Sequence, residues 1–376
     1  MLESQEQKNE RTRFVEMIEQ ELGHILSPRL RNAFLSVSRA NFVPFYYVQE
    51  QPGIWKEYRT TEVVYQNRAL VTKVNEKKHP SSSSSMPSIM AAMLEALDVP
   101  FGSRILEIGT GTGYNAALLA EVVGPGGKVV SIDIDDALVE LASIRLREAG
   151  YSWVQVDAAN GLEGYASAQP YDRIIVTGGY PSIPHPWNAQ LVIEGVLVGN
   201  LLCSLATPLF RLVKNADGAM KGTCLTTPAF FMSLHSDLSP SLPQMNFTQF
   251  EVLPRIEQAQ TTIDVVNMLY DPSFGLFLEN ALPGVERHLR YLGGPSKNVG
   301  ICFLWKDTLL TFSPLNQEEG ITSVQWAIEV RGQEPLWSMI QSSFERWMSQ
   351  GKPAVDQYVL DVSPEGNYHL LLALPE

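Results

Sequence analysis

Apolar positions near the start of the chain recur at helical spacing, and this pattern then gives way to extended segments. A spacing of three or four residues relates five of them, which predicts a helix with one apolar face: Phe14, Met17, Ile18, Leu22 and Ile25. A second short helix is predicted over 30–36. The stretch 41–80 contains FVPFYYV and VVYQNRALVTKV, which are typical of extended chain. A strongly apolar helix, SIMAAMLEALDV, follows.

From residue 103 onward, strand patterns alternate with helix patterns. The strands SRILEIG, KVVSIDI, WVQVDA and DRIIVTGG are separated by the helices GYNAALLAEVVG and ALVELASIRLREAG and by a short connection. This order predicts an α/β fold with a doubly wound, mainly parallel sheet. NAQLVIEGVLVGNLL predicts a helix and a strand with Gly195 in the turn between them. LFRLVKN and KGTCLTTPAFFMSL predict a hairpin that turns at 215–218.

After about residue 235 the chain becomes rich in Ser and Pro, which indicates a boundary. The final stretch combines short strands with one clear helix around 336–347 and ends in two strands joined by a Pro-Glu-Gly turn. We therefore predict an N-terminal helical and extended segment (1–80), a core (81–235) and a smaller α+β domain (236–376). Its tryptophans are predicted to be core residues: Trp305, Trp326, Trp337 and Trp347.

Composition and charge narrow the function classes. With 376 residues, 45% of them hydrophobic, the chain can bury a large core. The formal net charge of −13 argues against a nucleic-acid partner. Neither an apolar run of about 20 residues nor a signal-peptide pattern is seen, which predicts no membrane association and a cytoplasmic location. Three widely spaced cysteines and six scattered histidines predict no metal site. The oligomeric state is left open.

The stretch ILEIGTGTGYN (105–115) places three glycines between a strand and a helix. Such glycines allow a ligand to approach the backbone closely, and the GK[ST] of a phosphate-binding P-loop is absent. Asp133 ends the next strand, where an acid can bind ribose hydroxyls, and Asp157 ends a third, where it can accept from an exocyclic amine. These features predict S-adenosylmethionine, with NAD as the alternative. The predicted contact residues are Glu107, Gly109, Thr110, Gly111, Thr112, Gly113, Asn115, Asp133, Ile134, Asp157, Ala158 and Thr177.

Several stretches in order make the chain resemble the protein-L-isoaspartate (D-aspartate) O-methyltransferases. They are SRANFVP, NRALVTKV, SMPSIMAAMLEALDV, LEIGTGTGYNAALLA and YDRIIVTGG, and the resemblance covers about 30–235. It is strongest to a longer bacterial branch with a C-terminal extension. The resemblance implies a class I methyltransferase core with a Rossmann-like fold. It also implies methylation of an isoaspartyl or aspartyl carboxylate of a peptide or protein, giving an ester that can cyclise to a succinimide.

Five consecutive serines, 81–85, precede the apolar helix. Composition alone favours a flexible linker. In the family, however, a Thr-Ile-Ser-Xaa-Pro turn at this place supplies a serine that contacts the acceptor carboxylate. The resemblance places Ser83 opposite that serine, with Ser82 as a substitute, and the proline of the pattern appears later, as Pro87. We therefore predict that the serines belong to the active site.

Four functions remain open from the sequence. The first is repair of damaged isoaspartyl residues, and the second is tailoring of one Asp in a ribosomally made precursor peptide, which the extra C-terminal domain favours. The others are binding of S-adenosylmethionine without turnover and methylation of a small acid. We expect deletion from about residue 240 to spare repair and abolish tailoring. The loop 180–187 is predicted to border the acceptor cleft, and its His185 to be structural or exposed.

Overall fold

A computed structural model describes residues 5–233, 247–291, 299–315 and 325–373. The predicted boundary at 235–236 lies outside these ranges. The chain begins with three helices, α1 (Gln5–Leu22), α2 (Pro28–Ser36) and α3 (Arg39–Phe42). The Ser27 side chain accepts a hydrogen bond from Leu30 N and so caps α2, with Pro28 in the first turn. Phe14 and Ile18 of α1 are buried against α2 and the later helix α4 (Pro87–Leu97).

The segment between α3 and α4 forms a four-stranded sheet in the order β2-β1-β3-β4. Its strands are β1 (Tyr46–Gln51), β2 (Ile54–Tyr58), β3 (Leu70–Val74) and β4 (Pro80–Ser84). The serine tract is therefore mostly a strand, which pairs antiparallel with β3 through Val71 opposite Ser83. The serine tract is therefore not a mobile linker. It pairs with β3 on one side and, as described below, lies against the glycine turn on the other.

The central sheet has nine strands among the described residues, in the order β18-β17-β11-β10-β9-β8-β5-β6-β7. Its first seven strands along the chain are β5 (Arg104–Ile108), β6 (Lys128–Asp133), β7 (Gln155–Ala158), β8 (Tyr171–Tyr180), β9 (Leu191–Leu201), β10 (Pro208–Lys214) and β11 (Met220–Pro228). The strands β5 to β9 are parallel, and α5 (Tyr114–Val123) and α6 (Asp136–Glu148) connect β5 to β6 and β6 to β7. The predicted doubly wound α/β fold is confirmed, as is the β10–β11 hairpin. The sheet as a whole is mixed rather than mainly parallel, because β10, β11, β17 and β18 pair antiparallel.

One connection differs from the prediction. The helix α7 (His185–Gln190) ends before the apolar run, and Gly195 lies inside β9 rather than in a turn. The pairing of β9 with β8 shifts register between Leu191 and Val196, and Glu194 has a φ of 60°. The glycine that suggested a turn therefore lies at a local irregularity within the strand.

The described part of the chain after residue 246, here called the C-terminal unit, contains a second sheet. This sheet is antiparallel and has the order β12-β16-β15-β14-β13. Its strands are β12 (Arg255–Thr261), β13 (Glu286–Tyr291), β14 (Val299–Trp305), β15 (Thr308–Pro314) and β16 (Trp326–Arg331). Four helices accompany it in the described part of this unit: α8 (Thr248–Glu251), α9 (Val265–Tyr270), α10 (Pro272–Ala281) and α11 (Leu336–Ser349). The sequence predicted α11 but not α10, whose apolar residues lie on all sides. Trp326, Trp337 and Trp347 are buried, as predicted, and Trp305 is partly buried.

The last two strands of this unit, β17 (Tyr358–Val362) and β18 (Tyr368–Leu372), complete the central sheet. β17 pairs with β11, where Thr223 lies opposite Val359. One apolar cluster spans both parts of the chain, with Phe210 and Leu212 of the central sheet in the same cluster as Phe274 and Trp347. The division into 1–80, 81–235 and 236–376 stays a prediction.

Candidate functional site

The glycine motif forms the turn from β5 into α5. Gly109, Gly111 and Gly113 all have positive φ, at 104°, 52° and 84°. This backbone conformation strains any residue with a Cβ. At Gly113 a Cβ would also lie 3.2 Å from the Ala142 Cβ of α6. The turn is therefore tight for two reasons, namely its backbone shape and the close approach of α6.

Glu107 lies beneath this turn and has no exposed surface. Its carboxylate accepts hydrogen bonds from Asn115 Nδ2 at 2.8 Å and Ser131 Oγ at 2.6 Å. Burial raises its pKa to about 7, although both hydrogen bonds act in the opposite direction. These bonds tie the turn to β6, and the cofactor contact that the sequence predicts for Glu107 stays a prediction.

The threonines of the motif face inward as well. Thr110 Oγ1 lies 2.6 Å from Ser131 Oγ, and Thr112 Oγ1 accepts weakly from Tyr114 N, at 3.4 Å. Both side chains and that of Asn115 are at most 8% exposed. Asn115 Oδ1 is buried without a hydrogen-bond partner among the described residues. These three residues can thus offer a ligand little besides their main chain and this one oxygen.

Asp133 stands at the end of β6, beside the glycine turn. Its Oδ2 accepts from Gly111 N at 2.9 Å and its Oδ1 from Asp135 N at 3.1 Å. Burial raises its pKa, and the backbone hydrogen bonds oppose that rise. Ile134, the next residue, is 56% exposed. The predicted ribose acid and its apolar neighbour therefore adjoin the loop, at the carboxyl edge of the parallel strands.

Asp157 ends β7, the next strand along this edge. Its Oδ2 accepts from Tyr165 OH at 2.7 Å and from Gln155 Nε2 at 2.6 Å. Ala158 is exposed, and its strand pairs with β6 through Asp133. The two predicted acids thus end neighbouring strands, which is the expected arrangement for a nucleoside at the carboxyl edge of such a sheet.

Thr177 lies on the other side of the glycine turn, in β8. Its hydroxyl donates to the carbonyls of Gly109, at 2.7 Å, and Ile108, at 3.2 Å. The structure therefore brings the predicted residues of four strand ends, β5 to β8, to one edge of the sheet. Thr177 contacts the loop itself, so its hydroxyl orients the backbone that a ligand would approach.

The serine strand β4 closes this group from the N-terminal side. A Cβ built on Gly111 would lie 3.6 Å from Ser82 Oγ and 3.6 Å from the Ser83 carbonyl oxygen. The side chains alternate, so Ser82 and Ser84 are buried, whereas Ser83 and Ser85 are partly exposed. Of the two predicted serines, Ser82 faces the glycine turn and Ser83 has the more accessible hydroxyl.

The start of α4 indicates how the five serines align with the Thr-Ile-Ser-Xaa-Pro pattern of the family, which the identical residues alone could not. The helix begins at Pro87, with Met86 as the N-cap residue. With Pro87 on the proline of the Thr-Ile-Ser-Xaa-Pro pattern, the pattern falls on 83–87 and its serine on Ser85. The prediction of Ser83 rested on an earlier proline position. We therefore add Ser85 to Ser82 and Ser83 as candidates for the acceptor contact.

Two cations near this strand gave no signal in the sequence analysis. Arg39, from α3, is fully buried and hydrogen-bonds Ser84 and Ser85. Lys73 of β3 forms an ion pair with Asp135, the N-cap residue of α6. The pair joins the small sheet to the strand end that carries Asp133. Both residues lie in stretches that carry the family resemblance, SRANFVP and NRALVTKV, but the sequence assigned a role to neither, because each acts through partners far away in the chain.

His185 does not belong to this site. The loop 180–187 starts at the carboxyl end of β8, and its His185 Nδ1 lies 2.7 Å from the Pro364 carbonyl in the β17–β18 turn. That the loop borders the acceptor cleft stays a prediction. That turn adjoins the start of β11, since Val362 pairs with Met220. Because β11 runs in the same direction as β8, this is the edge of the sheet opposite the glycine turn. The exposed position of His185 agrees with its predicted non-catalytic role.

The polar groups at this edge of the sheet fit an adenosine ligand. Two carboxylates at successive strand ends suit ribose hydroxyls and an adenine amine, and the glycine turn leaves room for close approach. Near Gly111 a Cβ would meet other atoms only at ordinary contact distance, so the glycine leaves a shallow cradle beside Ser82. The unpaired Asn115 Oδ1 supplies one further acceptor at the start of α5.

Comparison with known proteins agrees with this geometry. Residues 9–237 match the family model described as protein-L-isoaspartate(D-aspartate) O-methyltransferase (PCMT). The chain belongs to this family. It is 37% identical to protein-L-isoaspartate O-methyltransferase 2 of Archaeoglobus fulgidus over 188 residues, which cover 50% of the chain and 76% of that protein. It is 35% identical to the Pyrococcus horikoshii protein-L-isoaspartate O-methyltransferase over 224 residues, which cover 59% and 91%.

Similarity of the fold extends beyond the residues that the family model matches. A solved protein-L-isoaspartate O-methyltransferase superposes with a TM-score of 0.57 at 23% identity and covers 97% of this chain and 100% of its own. The recognition of the family and of a class I methyltransferase core is thus confirmed. Within the described ranges, no helix has the length and apolar composition needed to cross a membrane. The same ranges contain no group of three or more His, Cys, Asp or Glu arranged for a metal ion.

Proposed function

We propose that the protein is an S-adenosylmethionine-dependent carboxyl O-methyltransferase that esterifies isoaspartyl or aspartyl side chains of peptides or proteins. One observation carries this proposal: the serine strand β4 lies directly against the glycine turn, with Ser82 Oγ and the Ser83 carbonyl 3.6 Å from the Cβ position of Gly111. A cofactor-binding loop and a row of neutral hydroxyls therefore meet at one place, as transfer to a carboxylate requires.

The residues that hold the cofactor lie along the carboxyl edge of the sheet. Asp133 would hold the ribose hydroxyls, Asp157 the adenine amine, and the backbone of 109–113 the remainder of the cofactor, and Ile134 and Ala158 would lie beside the base. The cofactor supplies an electrophilic methyl group on a sulfonium. Glu107, Thr110, Thr112, Asn115 and Thr177 keep the turn in shape from below through the hydrogen bonds described above.

The acceptor carboxylate needs orientation rather than activation. Its pKa in solution is about 4, so it is already ionised at neutral pH and no general base is required. A serine hydroxyl of β4 donates a hydrogen bond to one carboxylate oxygen and directs the other toward the methyl group. This is catalysis by proximity and alignment. Ser83 and Ser85 are the candidates with accessible hydroxyls, and Ser82 supports the glycine turn.

Methyl transfer from labelled S-adenosylmethionine to a short isoaspartyl peptide, beside its Asp twin, tests the proposal. We expect transfer to the isoaspartyl peptide. Single Ser82→Ala, Ser83→Ala and Ser85→Ala variants then identify the contact, with the exposed Ser81→Ala as the control. Transfer to neither peptide, with S-adenosylhomocysteine still bound, would contradict isoaspartyl repair.

Tailoring of one precursor peptide is the second candidate, and the chain beyond residue 237, which the family model does not match, favours it. This extension favours tailoring less than the sequence suggested, because a solved protein-L-isoaspartate O-methyltransferase shares the fold over 97% of this chain. Transfer to a precursor peptide but not to unrelated isoaspartyl peptides would establish tailoring. A cytoplasmic location and the absence of a nucleic-acid partner remain predictions, which cell fractionation and a binding assay with duplex DNA would test.

A further inference from the structure

We propose that Arg39 is a positioning residue for the acceptor, which sets the shape of the serine strand and places an uncompensated positive charge behind it. The inference rests on the proposed function, because it concerns the carboxylate that the serines hold. Arg39 lies in α3, far from β4 in sequence, and its side chain is fully buried.

The guanidinium binds two segments at once. Nη1 donates to the carbonyls of Val64 at 2.8 Å and Gln66 at 3.2 Å, and Nη2 to that of Arg68 at 3.1 Å. On the other side, Nη2 donates to the Ser84 carbonyl at 3.3 Å and hydroxyl at 3.2 Å.

Two further bonds complete the attachment to the strand. Nη2 also donates to the Ser85 carbonyl at 3.0 Å, and Nε to the Ser84 hydroxyl at 3.3 Å. The planar fork of the side chain thereby fixes the backbone of 84–85, immediately before the N-cap of α4. Ser84 is thereby held inward, whereas Ser83 on the strand and Ser85 just after it are partly exposed.

The charge of this arginine has no anionic partner among the described residues. All its hydrogen-bond partners there are main-chain carbonyls or the Ser84 hydroxyl. Burial lowers the pKa of Arg39 to about 10, so the group stays cationic at neutral pH. A buried cation without a counter-ion is costly, and a bound anion nearby compensates it.

This placement suits a carboxylate acceptor that becomes a neutral ester. The positive charge favours the ionised acceptor over the product, since esterification removes the negative charge. Arg39 does not itself contact the acceptor, because its donors are occupied by the carbonyls of 64–68 and by Ser84 and Ser85. It therefore holds the acceptor through the backbone and through its field, and leaves the carboxylate oxygen free to react.

Steady-state kinetics with the isoaspartyl peptide, together with S-adenosylhomocysteine binding, test the inference in the full chain. For Arg39→Met we expect the KM for the peptide to rise about tenfold or more, with cofactor affinity changed less than about twofold. Arg39→Lys keeps the charge and should recover part of the loss. Ser84→Ala, which removes only the hydroxyl bonds, should raise KM less than Arg39→Met.

The matched control is Arg173→Met. Arg173 is also buried and donates to main-chain carbonyls, of Asp98 and Asp172, but at the start of β8. It should lower thermal stability without changing the KM for the peptide. An equal rise in KM for this control, or an unchanged KM in folded Arg39→Met, would overturn the inference.

If Arg39→Met does not fold, Arg39→Lys and Ser84→Ala decide, and an unchanged KM in both overturns the inference. A wild-type chain that transfers no methyl to any peptide contradicts the proposed function and, with it, this inference. Transfer by the wild type with no variant affected in KM contradicts the inference alone.

Discussion

Two regions of the molecule bury different kinds of side chain: residues 9–237, which match the family model, and the C-terminal unit. Every described Asp, Glu, Lys or Arg with a buried side chain lies before residue 238: Arg11, Arg39, Glu107 and Arg173. The core of the C-terminal unit consists instead of apolar and aromatic contacts, such as Phe274 with Trp347 and Phe312 with Trp337. Buried charge is costly. Two of the four, Arg39 and Glu107, shape the serine strand and the cofactor turn, and the other two donate to main-chain carbonyls elsewhere in the same region. The C-terminal unit contributes packing.

Deletion of the C-terminal unit tests this division most strongly. Removal of residues after 246 takes away β17 and β18 and the partners of Phe210 and Leu212 in the shared cluster. We now expect the fragment to lose cooperative unfolding altogether, contrary to the expectation from sequence that the repair activity would survive. Circular dichroism and S-adenosylhomocysteine binding would show it. A folded fragment that binds the ligand would mean that the unit is an independent accessory.

The substitution Asp133→Ala tests the proposed cofactor site in the region that matches the family model. Loss of the carboxylate removes the predicted ribose contacts and the bond to Gly111 N. Affinity for S-adenosylhomocysteine should fall about tenfold to a hundredfold. Calorimetry measures it, and Asp136→Ala, an exposed acid at the start of α6, controls for charge. Unchanged affinity would refute the assignment of Asp133.

The buried Glu107 should leave a signature in the pH dependence of stability. In the folded state the pKa of Glu107 is raised to about 7. Its contribution to the free energy of unfolding is therefore complete below the unfolded pKa and is lost as the pH rises through about 7. Glu107→Gln should remove this loss, and its stability relative to wild type should rise by about 3 kcal/mol between pH 4.5 and 7.5. Denaturant unfolding at several pH values measures the difference. A constant difference would contradict it.

The smallest effect is expected for the ion pair between Lys73 and Asp135. Burial tends to raise the pKa of Asp135, but hydrogen bonds from Lys73, Leu138 and Ala137 outweigh it, and the pKa is lowered. Its contribution is therefore present near neutral pH and is lost as the pH falls through the folded pKa. Lys73→Met should cost less than about 1 kcal/mol at pH 7 and still less at pH 3. Lys56→Met, in the same sheet, is the control.

The sequence revealed those features that depend on neighbours in the chain. The glycine turn, the acids at strand ends and the β10–β11 hairpin follow from local pattern and were predicted. What it could not reveal depends on distant partners. The serine tract became a strand because Val71 lies opposite Ser83, and α10 gave no periodic signal because it is apolar on most sides. The inward position of Glu107 likewise depends on Ser131 of the next strand.

The pairing of β11 with β17 has a consequence for synthesis. β11 is made well before the C-terminal unit, yet its outer edge is covered only when residues 358–362 arrive. A growing chain therefore exposes an unpaired strand edge for as long as translation of that unit takes, and such edges are prone to pair with other chains. We expect this protein to depend on chaperones during synthesis more than a shorter relative whose sheet is completed earlier.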